Sequence, residues 1–183
     1  GTSLHRRVWV CLVSNFVART KQLDVLLRMI VGGCGNTSMD LNFTDEQQML
    51  KDMTREFLEA ECPKALVRSM EHDDLGYPEE LWAKMAELGW MGLVFPEEYG
   101  GAEFAFEDMA ILLEEMGRAI LPGPFFSTVV LCGQAILDSG TEEQKTEFLG
   151  KIANGELIMA LGLTEPEGYY EASYITTQAG LSG

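Results

Sequence analysis

The chain has 183 residues, 46% of them apolar, and a formal net charge of −16 from 13 Lys and Arg against 29 Asp and Glu. That length and apolar share suffice for the core of one ordinary domain. Residues 1–38 hold five of the basic residues and one acidic residue, leaving 8 basic and 28 acidic residues from Met39 onward, and a body so acidic repels phosphate backbones, which argues against nucleic acid as a partner.

The first 38 residues differ in kind from the rest. They carry Arg6, Arg7, Arg19, Lys21 and Arg28 and end in the loose stretch Gly32-Gly33-Cys34-Gly35. Their apolar run from Val8 to Ala18 is broken by Ser14 and Asn15 and falls short of the roughly 20 apolar residues that a spanning helix needs, so no membrane anchor is expected. Two readings fit: an Arg-rich targeting peptide, or non-native sequence upstream of a natural start at Met39. Either way residues 1–38 read as a leader expected to be disordered. Cys11, Cys34, Cys62 and Cys132 form no CxxC pair, and with only His5 and His72 available no metal site is expected. The cysteines read as free thiols in a reducing compartment.

From Met39 the texture becomes helical. Thr44 with Gln47 three residues on forms a capping box, and Met49, Leu50, Met53, Phe57 and Leu58 recur at helical spacing until Cys62-Pro63 ends the segment. Pro78 opens a second helix through Leu81, Trp82 and Met85 to Gly89, with Trp82 in the core. Gly89, Gly92, Pro96, Gly100 and Gly101 force a loop, in which Glu97 and Glu98 read as solvated. A third amphipathic helix, Glu107 to Arg118, turns Met109, Leu112, Leu113 and Met116 inward and Glu114 and Glu115 outward. After Leu121-Pro122-Gly123-Pro124 comes a strongly apolar helix from Phe125 to Leu137, in which Phe126, Val129, Val130 and Ile136 leave little polar face, so it is expected to be buried. Thr141 with Gln144 is a second capping box, opening a helix that stops at Gly155.

Leu157 to Thr164 favours a strand, which Glu165-Pro166 closes because proline cannot donate to a ladder; Tyr174-Ile175-Thr176-Thr177 reads as another. The organisation is therefore mainly α: a leader at 1–38, a helical domain at 39–155, and the first strands of a truncated β domain at 156–183. A lone strand or hairpin is not stable alone, so the chain reads as a fragment.

Taken in order, Phe43-Thr44-Asp45-Glu46-Gln47, Phe95-Pro96-Glu97-Glu98-Tyr99-Gly100-Gly101, Thr141-Glu142-Glu143-Gln144-Lys145 and Leu163-Thr164-Glu165-Pro166 resemble the N-terminal half of an acyl-CoA dehydrogenase from about Met39 to about Ala179. Beginning at Met39, the resemblance favours that residue as the natural start. It implies an N-terminal helical domain joined to a middle β domain and a C-terminal bundle, with FAD held between domains and subunits. It also implies an oxidoreductase of fatty acid metabolism and β-oxidation that converts an acyl-CoA to the trans-2-enoyl-CoA. A glutamate takes the α-proton while a hydride passes to the flavin, and an electron-transferring flavoprotein then accepts the electrons.

By the same resemblance that glutamate lies beyond Gly183, so no catalytic residue is assigned and the fragment is expected to be inactive. Leu161, Leu163 and Thr164 would lie beside the flavin, with the Thr164 hydroxyl bonding the ring, and Tyr170 stands where the family has a serine toward the FAD pyrophosphate. Phe125, Phe126 and Ser127 would line the acyl pocket, although a Phe pair on an apolar helix also fits a core. Gly168-Tyr169-Tyr170-Glu171 departs from the family's Ala-Gly-Ser-Asp. It keeps open a non-catalytic or FAD-poor partner subunit of a heteromeric dehydrogenase; a flavin monooxygenase or nitroalkane oxidase on the same scaffold is a further alternative. The resemblance implies a homotetramer or heterotetramer, cytoplasmic in a bacterium, or in the mitochondrial matrix if the leader is a targeting peptide.

Overall fold

The computed structural model of the protein describes residues 42–162 and 176, together with the backbone of residues 8–11. Helix α1 (Asp45–Glu61) starts at the expected capping box: Gln47 N–H donates to Thr44 Oγ1 at 3.1 Å and Thr44 N–H to Gln47 Oε1 at 3.2 Å. Asp45 and Glu46 sit in its first turn, where the helix dipole favours negative charge. Pro63 stops α1 but also caps a short further helix, α2 (Lys64–Met70), which the proline break had concealed. Helix α3 (Glu79–Glu87) follows Pro78, and its Trp82 is 2% exposed with the indole N–H donating to Gly155 O at 2.9 Å.

The glycine-rich loop contains two 3₁₀ turns, Trp90–Gly92 and Glu97–Tyr99, with Glu97 and Glu98 exposed as expected. It folds back on itself: Ala102 N–H donates to Gly92 O and Glu103 N–H to Phe95 O. A Cβ at Gly101 would stand 1.9 Å from Phe95 O, and one at Gly133 would stand 2.5 Å from Phe95 Cζ. Glycine at these two positions is what lets the fully buried Phe95 ring lock the loop against the apolar helix beyond.

Helix α4 (Phe106–Ala119) packs on α1. At its start Ala105 N–H donates to Asp108 Oδ2, and Gln47 Nε2 reaches across from α1 to Asp108 Oδ1. Here the expected faces need a correction, because Glu115 is fully buried instead of turned outward. It follows Ile111 by four residues and Leu112 by three, which places it on the inward stripe. Burial of the charge is sustained by Arg55 of α1, whose Nη2 donates to Oε1 at 2.7 Å, and by Arg118, whose Nε donates to Oε2 at 2.7 Å. Arg118 also pairs with Glu59 at 3.2 Å, so the cluster bolts α1 to α4.

The apolar helix is wound differently from expectation. Phe126–Gly133 is a π-helix that runs into α5 (Gln134–Ser139). The wider winding, with i→i+5 bonds, buries Thr128, Val129, Cys132 and Gly133 and leaves Phe126 54% and Leu131 37% exposed. The expectation of full burial therefore holds for one face only. Helix α6 (Glu142–Ala153) opens at the second capping box, with Gln144 N–H to Thr141 Oγ1 and Thr141 N–H to Gln144 Oε1.

The chain then enters strand β2 (Ile158–Leu161), which packs on the π-helix. Strand β1 (Val8–Cys11) pairs parallel with β2, Val8 opposite Ile158 and Cys11 opposite Leu161. Of the leader, which the sequence reading leaves without structure, only this backbone is among the described residues. Among the described residues no helix is long and apolar enough to cross a membrane and no cluster of His, Cys, Asp and Glu is arranged to hold a metal. Cys62 and Cys132 are both buried, and Cys62 is a free thiol.

Candidate functional site

Those residues named from the sequence that are among the described ones, Phe125, Phe126, Ser127 and Leu161, fall at the start of the π-helix and the end of β2, two elements that the fold packs together. Phe125 is 3% exposed and belongs to the hydrophobic core. Its neighbour Phe126 points away from that core, and Ser127 is half-buried with Oγ donating to Pro124 O at 3.0 Å. That bond closes the first turn after Pro124 and leaves the hydroxyl oxygen with acceptor capacity. The Phe pair is therefore divided: one ring packs the interior and the other is available at the surface.

On the strand, Leu161 is half-buried and packs against the core, and Gly162 is exposed. Leu163, Thr164 and Tyr170, the other positions named toward the cofactor, lie outside the described residues. What anchors the strand is Thr128, which sequence reasoning passed over. Its hydroxyl is fully buried, accepts from Met159 N–H at 3.0 Å and donates to Met159 O at 3.0 Å. The available signal was a hydroxyl residue in an otherwise apolar run, since a buried hydroxyl requires a partner.

With both polar groups of Met159 satisfied from within, the strand offers its apolar Leu161 side chain and then exposed backbone at Gly162. Among the described residues this end of the strand shows one apolar side chain and one glycine, and the polar positions named toward a flavin are not among them.

Charge elsewhere serves the scaffold. The hydrogen bond from Arg55, joined by that from Arg118, holds the Glu115 carboxyl down at about 2 against burial, which pushes it up. Tyr99 donates to Glu142 Oε2 at 2.8 Å, which raises the phenol above its usual range and lowers the carboxyl. Burial pushes the Cys62 thiol up, away from the reactive thiolate. A groove of about 430 Å³ runs between α1, α2 and the end of α4 past Leu58, Cys62, Val67, Arg68 and Ile120, and contains none of the residues named for cofactor or substrate.

Residues 44–156 match the family model described as acyl-CoA dehydrogenase, N-terminal domain. The chain is 37% identical over 147 residues to the short-chain-specific acyl-CoA dehydrogenase of Clostridium acetobutylicum, covering 79% of this chain and 38% of that protein. Among solved structures it is similar to the Tcur3481-Tcur3483 steroid ACAD, with a TM-score of 0.65 and 32% identity over 79% of this chain and 38% of that one. It is also similar to the acyl-CoA dehydrogenase complexed with FAD from Bacillus anthracis, with a TM-score of 0.62 and 29% identity over 72% of this chain and 23% of that one. The chain thus spans well under half the length of these relatives.

Proposed function

The chain belongs to the acyl-CoA dehydrogenase family by its N-terminal domain, and from that premise we propose that it supplies the helical part and the first flavin-facing strand of an FAD-dependent enzyme oxidising an acyl-CoA to the trans-2-enoyl-CoA. The observation that carries this reading is the packing of the π-helix, with Phe126 and Ser127 at its surface, on the strand that ends in Leu161. When bound, FAD supplies the hydride acceptor. Leu161 and Leu163 give the ring an apolar bed, Thr164 donates a hydrogen bond to its polar edge, and Tyr170 donates toward the pyrophosphate. Phe126 and Ser127 exclude water from the acyl chain and orient it. By the family resemblance the base is a glutamate of the C-terminal bundle, and the 183-residue chain alone does not turn over acyl-CoA. The enzyme is proposed as a cytoplasmic tetramer that passes electrons to an electron-transferring flavoprotein.

The test uses the full-length protein. Replacing Thr164 by Val removes the donor and keeps the shape, and it is expected to slow flavin reduction by acyl-CoA or weaken FAD retention by about tenfold. Thr164→Ser is expected to restore both. Equal behaviour of the Val variant and the unaltered protein would refute the contact.

A second reading, a partner subunit that holds little or no FAD itself, is favoured by the bulky Gly168-Tyr169-Tyr170-Glu171 segment and by the likeness to an enzyme named for two components. It is distinguished by measuring whether the purified full-length protein retains stoichiometric FAD alone or only with a second chain.

A further inference from the structure

We propose that Thr128 is a positioning residue: its hydroxyl sets the register of β2 and so couples the segment that faces the acyl chain to the strand that faces the flavin. The inference rests on the functional reading above. Its structural part stands on two hydrogen bonds of 3.0 Å from one fully buried hydroxyl to both main-chain groups of a single strand residue, Met159.

A strand residue presents its N–H and C=O to the same edge, and its neighbours in sequence present theirs to the other edge. Thr128 therefore occupies one edge of β2 at Met159 as a neighbouring strand would, on the side opposite β1. A hydroxyl does this strongly with one atom, since it accepts and donates at once. The consequence reaches the site through the period of the strand. Leu161 is two residues past Met159, roughly 6.6 Å along the strand, on the same face. A slip of one residue would turn Leu161 to the opposite face.

The other end of the coupling is equally short. Thr128 directly follows Ser127, and its amide donates to Pro124 O at 2.9 Å, while Ser127 Oγ donates to the same carbonyl at 3.0 Å. The turn that presents Phe126 and Ser127 and the hydroxyl that grips β2 are thus one unit. Within the π-wound segment Thr128 lies on the buried, strand-facing side while Phe126 is exposed.

The experiment compares Thr128→Val and Thr128→Ser in the full-length protein by amide hydrogen exchange at Met159 without FAD, by FAD dissociation constant, and by the position of the flavin absorption band. Val129→Ala, chosen for a comparable loss of Tm, controls for general destabilisation. The Val variant is expected to speed exchange at Met159 by at least about tenfold and to weaken FAD binding about tenfold, with a shifted band. The Ser variant is expected to restore all three, and Val129→Ala to leave the band unmoved. If Thr128→Val does not fold, Thr128→Cys, a weak donor and acceptor, takes its place with the same expectation.

Fast exchange with FAD affinity and band unchanged would overturn the proposal and leave Thr128 a purely structural residue. An unaltered protein that binds no FAD would overturn the flavin reading itself. Those two failures are distinct results.

Discussion

Replacing Glu115 by Gln keeps the shape of the side chain and removes its charge, leaving Arg55 and Arg118 facing a neutral amide in the packed seam between α1 and α4. Glu115 is fully buried, and its carboxyl is held at about 2 instead of 4.5. At 1.36 kcal/mol per decade of acidity that displacement corresponds to about 3 kcal/mol. Both arginines are about two-fifths exposed, 41% and 40%, and water screens them, so the expected loss at pH 7 is about 2 to 3 kcal/mol.

The pH dependence has a definite sign. A carboxyl whose folded value is depressed contributes stability above its unfolded value and loses it as pH falls toward the folded value. The contribution of Glu115 is therefore whole above about pH 4.5 and declines toward about pH 2. Urea unfolding followed by far-ultraviolet circular dichroism, at about pH 7, 4 and 3, yields the stability difference between the chain and its Glu115→Gln variant. Other carboxylates cancel in that difference. A gap below about 0.5 kcal/mol at pH 7, or one that does not narrow as pH falls through this window, would refute the account of the seam.

Thr44→Ala and Thr141→Ala each remove the side-chain half of a capping box and are expected to cost about 1 kcal/mol apiece. Because they cap different helices their effects are expected to add, which a double variant in the same unfolding assay checks. Trp82→Phe keeps most of the buried ring but strips the buried Gly155 carbonyl of its donor, an expected loss of about 2 kcal/mol by urea titration. Stability equal to that of the unaltered chain would show that water replaces the indole there.

Helix boundaries were legible because they depend on near neighbours. Thr44 with Gln47, Thr141 with Gln144 and the proline at 78 each act within one turn of chain, and the structure shows the helices starting where those residues predict. The strand from Ile158 was legible as well, from its apolar run before Thr164 and Pro166. Proline, however, both stops a helix and starts one, so Pro63 marked the end of α1 without revealing α2.

For the candidate site, motif order named Phe125, Phe126, Ser127 and Leu161 together with Leu163, Thr164 and Tyr170, which lie outside the described residues, but nothing local indicates that Thr128 reaches Met159, 31 residues away. The same holds for Glu115, whose inward turn is tolerable only because Arg55 arrives from 60 residues earlier in the chain. The winding of Phe126–Gly133 is likewise outside the reach of a 3.6-residue period. Local bonds decided where elements begin, and those a sequence displays. Which face each element buries, and which buried polar group is satisfied there, depends on partners that only the folded chain brings within hydrogen-bonding distance.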